Sequence, residues 1–157
     1  MNLKKIALCV VALLLVAAIW FRWWLQPERQ VRRAQGRLIS AVEKRNFEAM
    51  AGLLSEDYSD RWQHDKANVL RDSREVFGQF AMLTIDRAEH GLEMKDDRWV
   101  LREKITLKGL GGPVAMFARD EVNALREPFA MTWRRRSWKP WDWELVSVAH
   151  PALELPR

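Results

Sequence analysis

Apolar and polar positions divide this chain into three regimes. From Ile6 to Phe21 no charge interrupts the apolar run, and Arg22, Trp23, Trp24 and Leu25 follow it. A helix over that stretch is apolar on every side, unlike a surface helix with a single stripe. At ~1.5 Å of rise per residue it reaches about the ~30 Å of a bilayer's hydrocarbon, with Arg22 snorkelling to the headgroups. Ile6 and Leu14 would face lipid, and Trp20, Trp23 and Trp24 would form an interfacial belt.

The second regime has a helical period. Gln26-Pro27 favours a new helix start, and Val31, Ala34, Leu38, Ala41 and Val42 recur three and four residues apart up to about Arg45. Asn46 can cap a second, short helix carrying Phe47, Met50, Ala51 and Leu54 on one face. Ser55 to Gln63 breaks the period and reads as a loop. Asp65 then caps a third helix with Val69, Leu70, Ser73, Val76, Phe77 and Phe80 inward.

After Phe80 the period shortens to two. Met82 to Met94 reads as a strand, Asp96-Asp97 as a turn, and Trp99, Leu101, Ile105 and Leu107 as the inner face of a returning strand. Gly109 to Pro113 ends that strand, and Val114 to Arg126 reads as a loop with room for one helical turn. Phe129, Met131 and Trp133 alternate on a third strand. A turn at Lys139-Pro140 leads to a last strand from Trp141 to about His150, which Pro151 stops. Three helices followed by about four antiparallel strands predict an α+β domain, its helices packed on one face of a curved sheet.

Charge and cysteine change this picture in two places. The net charge of +5 would suggest a polyanionic partner, but five arginines (Arg22, Arg29, Arg32, Arg33, Arg37) against Glu28 alone lie beside the apolar leader, while from Leu38 onward 19 basic residues face 20 acidic ones. The excess therefore belongs to a juxtamembrane stretch over 26–37 that suits anionic headgroups, and nucleic acid is not expected as a partner. Cys9 is the sole cysteine and lies inside the leader, so the rest of the chain can form neither a disulfide nor a thiolate metal site. The expected organisation is a signal anchor at 1–25, a soluble domain at 28–151 and a tail at 152–157. Cleavage after Val16-Ala17-Ala18 is the rival reading of the leader. Lys4 and Lys5 favour an inside amino terminus, which puts the domain on the non-cytoplasmic side, although the arginines after Phe21 oppose that orientation.

Particular residues also carry a resemblance. Ala49-Met50-Ala51-Gly52-Leu53-Leu54-Ser55-Glu56-Asp57-Tyr58-Ser59-Asp60 looks like the short second helix and following loop of the NTF2-like (SnoaL-like) superfamily, and Trp143-Glu144-Leu145-Val146-Ser147-Val148 looks like its final strand. The likeness covers about Glu28 to Pro151. It implies a cone-shaped sheet around an apolar cavity closed by helices, with Tyr58, Trp62, Trp99, Phe129, Met131 and Trp133 as candidate lining. It does not imply a reaction, because the superfamily holds isomerases, dehydratases and membrane-tethered assembly components alike. Pairing through the open sheet face, common in the superfamily, makes a homodimer an expectation.

No motif adds chemistry of its own. His64, His90 and His150 lack zinc-ligand spacing, the Gly109–Gly112 run lacks the Gly-Lys-Ser/Thr ending of a phosphate loop, and no Gly-x-Ser-x-Gly occurs, so neither metal nor cofactor is expected. Tyr58, Asp60, Trp62 and Asp65 could offer a proton-transfer pair, with Asp86 or Asp120 as further acids. The local alternative makes Asp65 a helix cap and Tyr58 a core aromatic. The run from Trp133 to Trp143 concentrates tryptophan and arginine, types common at binding hot spots, so Arg134, Arg136, Trp138 and Trp141 form a candidate docking surface for lipid headgroups or a partner protein. The leading expectation is a single-pass membrane protein whose domain binds a protein partner or a small apolar ligand. The alternative is a cavity enzyme of isomerase or dehydratase type.

Overall fold

The computed structural model describes residues 3–152, with side chains from position 9 onward. The leader forms one helix, α1 (Leu3–Trp24), and a second, α2 (Pro27–Glu43), starts with Pro27 at its first turn, where a missing N–H is harmless. Among the described residues no single helix is long and apolar enough to cross a membrane; Cys9–Trp24 and Pro27–Glu43 pass that test jointly, their axes bent by 61°. The side chain of Ile6 and the tail from 153 to 157 lie outside the described residues.

Two expected caps form. Asn46 accepts a hydrogen bond from the Ala49 N–H at 3.0 Å and starts α3 (Phe47–Leu53); Asp65 accepts one from Asn68 at 2.8 Å and starts α4 (Lys66–Phe77). β1 (Phe80–Lys95) and β2 (Arg98–Gly111) then form a long antiparallel hairpin, closed where Asp96 and Asp97 both adopt positive φ, as a two-residue turn requires. β3 (Phe129–Arg135) and β4 (Trp143–Ala149) complete an antiparallel sheet of order β1-β2-β3-β4.

The sequence reading departs from the structure in three places. The segment read as a loop with one helical turn is a full helix, α5 (Pro113–Ala124), inserted between the second and third strands. It exists because β3 pairs only with Trp99–Glu103, leaving the far half of β2 open. Ala115 packs there fully buried, while the Asn123 carboxamide accepts from the Leu107 N–H at 2.8 Å and donates to its carbonyl at 2.9 Å. Phe80, expected on the inner face of the third helix, instead opens β1; β2 ends at Gly111, within the expected glycine stretch, and Gly109 sits inside it at φ 150°, where a Cβ would come within 2.0 Å of the Met82 carbonyl oxygen. Lastly, the final strand starts at Trp143, and Trp141 stays exposed in the preceding turn.

The helices cover the concave face of the sheet. Register pairs Leu83, Ile85, Arg87 and Glu89 of β1 with Gly109, Leu107, Ile105 and Glu103 of β2, and then Glu103, Leu101 and Trp99 with Phe129, Met131 and Trp133 of β3. Val31, Ala34, Leu38, Ala41 and Val42 of α2 pack onto that face, with Leu54, Tyr58 and Leu145 in the same core. The run after α3 docks on the outer edge of β4 as a parallel partner: the Ser55 N–H donates to Leu145 O at 2.9 Å and the Ser59 N–H to Val146 O at 3.1 Å.

Candidate functional site

The inward row of β2 holds a carboxylate that the alternation of apolar residues hides. Glu103 lies between Leu101 and Ile105, is buried with them, and faces a fully buried glutamine, Gln35, from the middle of the apolar stripe of α2. Gln35 Nε2 donates to Glu103 Oε2 at 2.9 Å, and Arg87 of β1 approaches Oε1 at 3.4 Å. Burial pushes the Glu103 carboxyl above its ordinary range, opposed by the Arg87 guanidinium and the Gln35 bond. One turn earlier on α2, Arg32 grips Glu89 of β1 with two bonds of 2.9 and 2.8 Å. Polar links thus join the middle of α2 to both long strands. Among the described residues two buried side-chain polar atoms have no protein partner, Gln35 Oε1 and the indole nitrogen of Trp133.

A carboxyl whose native pKa is raised weakens the fold when it ionises. Below the ordinary glutamate value of ~4.3 the acid is neutral in both states, and the penalty grows as pH rises through the higher native value. Glu103→Gln, which can still accept from Gln35, should match the parent at pH 4 and exceed it in denaturant midpoint at pH 7. A variant relatively weaker at pH 7 than at pH 4 would contradict this assignment.

The six candidate cavity residues are divided between settings. Trp99, Phe129, Met131 and Trp133 share the inner sheet face, Trp99 directly opposite Trp133, and Phe129 packs against the His150 ring at 4.7 Å between centroids. Tyr58 is a core residue; burial, and then the Asp60 charge, push its phenol well above the ordinary range. Trp62 is half-buried in the loop that Asp60 organises by accepting from the Trp62 and His64 N–H groups, both at 2.9 Å. None of the six lines either of two surface grooves. One, of about 490 Å³, runs between α2 and α3 along Arg37, Ser40, Lys44 and Gly52; the other, of about 270 Å³, lies between Arg37 and the β3–β4 hairpin.

The other acids serve local roles. Asp65 is a cap, as above. Asp86 points outward to Lys108 at 2.5 Å, and Asp120 pairs with its neighbour Arg119 at 2.7 Å. His64 Nδ1 lies 3.1 Å from Asp60 Oδ2, and His150, fully buried, holds Glu127 O at 2.8 Å through Nε2. Among the described residues no group of three or more His, Cys, Asp or Glu could hold a metal ion.

The tryptophan and arginine run divides as well. Arg134 and Arg136 turn to the outer sheet face and enter an ion-pair network: Arg134 binds Asp57 at 2.7 and 3.0 Å, Ser55 Oγ at 2.9 Å and Glu144 at 2.5 Å, while Arg136 binds Glu144 at 2.9 Å and Gly52 O at 2.8 Å. Burial alone would raise the Glu144 carboxyl, but bonds from Arg136 and Arg134 outweigh it and hold it below its ordinary range; Arg134 does the same to Asp57. Trp138 is 83% exposed and Trp141 46%. The arginines therefore fasten the loop after α3 to β4, while the side chains of Trp138 and Trp141 stay exposed in the hairpin tip.

No protein-family model and no curated protein matches this sequence. Solved structures do match in three dimensions. A conserved protein from Planctomyces limnophilus aligns with TM-score 0.59 at 17% identity, over 78% of this chain and 93% of its own. A candidate dehydratase of the NTF2-like family from Streptomyces avermitilis gives 0.57 at 17%, over 78% and 93%. An NTF2-like protein from Cytophaga hutchinsonii gives 0.53 at 13%, over 75% and 91%. Beyond its first helix, this chain has the NTF2-like fold.

Proposed function

We propose that the chain is a single-pass membrane protein whose NTF2-like domain is a non-catalytic binding module, for a protein partner or a small apolar ligand. The observation that carries the non-catalytic reading is a packed interior, which also favours the protein partner over the small apolar ligand. Trp133, Leu101 and Gln35 are completely buried where catalytic relatives would need an open cavity, and both oxygens of Glu103 already face protein donors. The tether rests on α1, whose Leu13, Leu14, Ile19, Trp20 and Phe21 all stand more than half exposed. So large an apolar surface on a terminal helix calls for lipid or a partner.

One observation favours a second reading. A buried carboxyl raised in pKa, bonded to a glutamine whose own buried oxygen has no protein partner, is what a proton-transferring isomerase or dehydratase would use. Vesicles from cells expressing the full chain, washed with alkaline carbonate, test the tether. The chain should stay in the pellet and a version starting at Pro27 should leave it; release of the full chain, or a mature terminus beyond Ala18, overturns the tether. Crosslinking in intact membranes should then recover the same partner from the parent and from Glu103→Gln, and a turnover activity abolished by Glu103→Gln would replace the binding reading with the catalytic one.

A further inference from the structure

The elbow between α1 and α2 shows which side of the domain faces the bilayer, if α1 spans it as proposed above. Arg29 folds back over the Trp23 ring at 3.2 Å and Arg33 over the Trp24 ring at 4.5 Å, while Gln30 donates to the Trp24 carbonyl at 2.7 Å. These contacts bridge the inside of the bend. The face of α2 carrying Arg29 and Arg33 is therefore the one turned back toward the lipid. Helical spacing continues that face through Arg37, Ser40 and Lys44, opposite the buried stripe of Val31, Ala34 and Leu38.

None of Arg29, Arg33, Arg37 and Lys44 has an ion-pair partner among the described residues, in contrast to Arg32, which Glu28 and Glu89 neutralise. The groove between α2 and α3 opens along Arg37, Ser40 and Lys44. Arg37 also donates to Trp141 O at 3.1 Å, which holds the hairpin carrying Lys139 and the exposed Trp138 against this flank. With α1 along the bilayer normal, a 61° bend makes α2 climb only ~0.7 Å per residue, so Arg29, Arg33 and Arg37 stay within the ~8 Å screening length of physiological salt.

We infer that this face is a docking surface for anionic phospholipid, which lays the domain down on the bilayer and seats the β3–β4 hairpin at the headgroups. The inference rests on the tether reading and adds the lipid class and the orientation. Near an anionic surface each basic residue contributes about fivefold in binding. The domain should therefore lie flat on anionic bilayers and swing free on neutral ones.

The experiment uses the full chain with Cys9→Ser and Trp138→Cys, a fluorophore on the new thiol taking the place of the exposed indole. It is reconstituted into vesicles of phosphatidylcholine alone, or of equal parts phosphatidylcholine and phosphatidylglycerol, each with a headgroup spin-labelled quencher. Quenching should appear only in the anionic vesicles and disappear in high salt. An Arg33→Glu, Arg37→Glu double variant should reduce the docked population at least about tenfold, and the salt comparison needs no variant at all. A chain that resists carbonate while its probe is quenched alike in both vesicle types overturns the docking and leaves the tether standing. A chain that carbonate extracts overturns the tether.

Discussion

Trp133→Ala is expected to lower the stability of the domain by about 3–5 kcal/mol, read as a fall in denaturant midpoint at unchanged slope. Trp133 is completely buried on the inner face of β3, paired across the sheet with Trp99 on β2 and Leu145 on β4. Removing the indole empties space that neither α2 nor the sheet can close without shifting. Trp133→Phe separates packing from polarity. The indole nitrogen has no partner, so deleting it removes an unsatisfied buried donor and offsets part of the lost volume. The phenylalanine variant should keep most of the stability; a loss as large as alanine's would mean that the indole N–H is bound to something this chain needs.

The second large effect is expected at Arg134. Its guanidinium joins Ser55, Asp57 and Glu144, three residues on two segments that the backbone brings together through the Ser55 and Ser59 N–H bonds. Arg134→Met keeps the aliphatic stem and removes the charge. Glu144, whose carboxylate is almost fully buried, is then left to Arg136, at a cost of about 1–3 kcal/mol after allowing for the part of the network open to water. Amide exchange should rise at Ser55 and Ser59, where the loop edge loosens. Asp57 and Glu144 both titrate below their ordinary range, so their contribution is present above pH ~5 and lost as acid protonates them. The gap between parent and Arg134→Met should hold constant from pH 8 to 5 and narrow below. A constant gap down to pH 3 would show the network to be electrostatically idle.

Much of the fold was legible because local signals and burial agreed. Asn46 and Asp65 stand where capping chemistry wants a short polar side chain, and both caps formed; two consecutive aspartates made a tight hairpin. Helix α5 was missed because its apolar residues run consecutively from Val114 to Ala118 instead of recurring at helical spacing, and it follows Gly111-Gly112-Pro113, a sequence that reads as punctuation. Its cause is non-local, the uncovered end of β2 that β3 is too short to reach. Glu103 was missed for a related reason. A charged residue in an apolar alternation reads as outward-facing, yet the strict period of two carries position 103 inward with 101 and 105. Gln35, in the stripe of Val31, Ala34 and Leu38, was a sequence sign that this interior contains a polar group beside the sheet.

The sequence by itself determined what depends on neighbours along the chain: an apolar leader, three capped or proline-started helices, and strands that alternate, since period and turn chemistry act within a few residues. Only the tertiary structure decided how the tryptophan and arginine run divides, because Arg134 and Arg136 meet Asp57, Glu144 and Gly52 across the sheet while Trp138 stays exposed. It also decided that the interior is closed by Trp133 and by a glutamine–glutamate pair, which 68 residues separate in sequence. Local propensity carries no information about which charge will find a partner at that separation. Packing does, because a carboxylate taken out of water must find a donor wherever the folded chain supplies one.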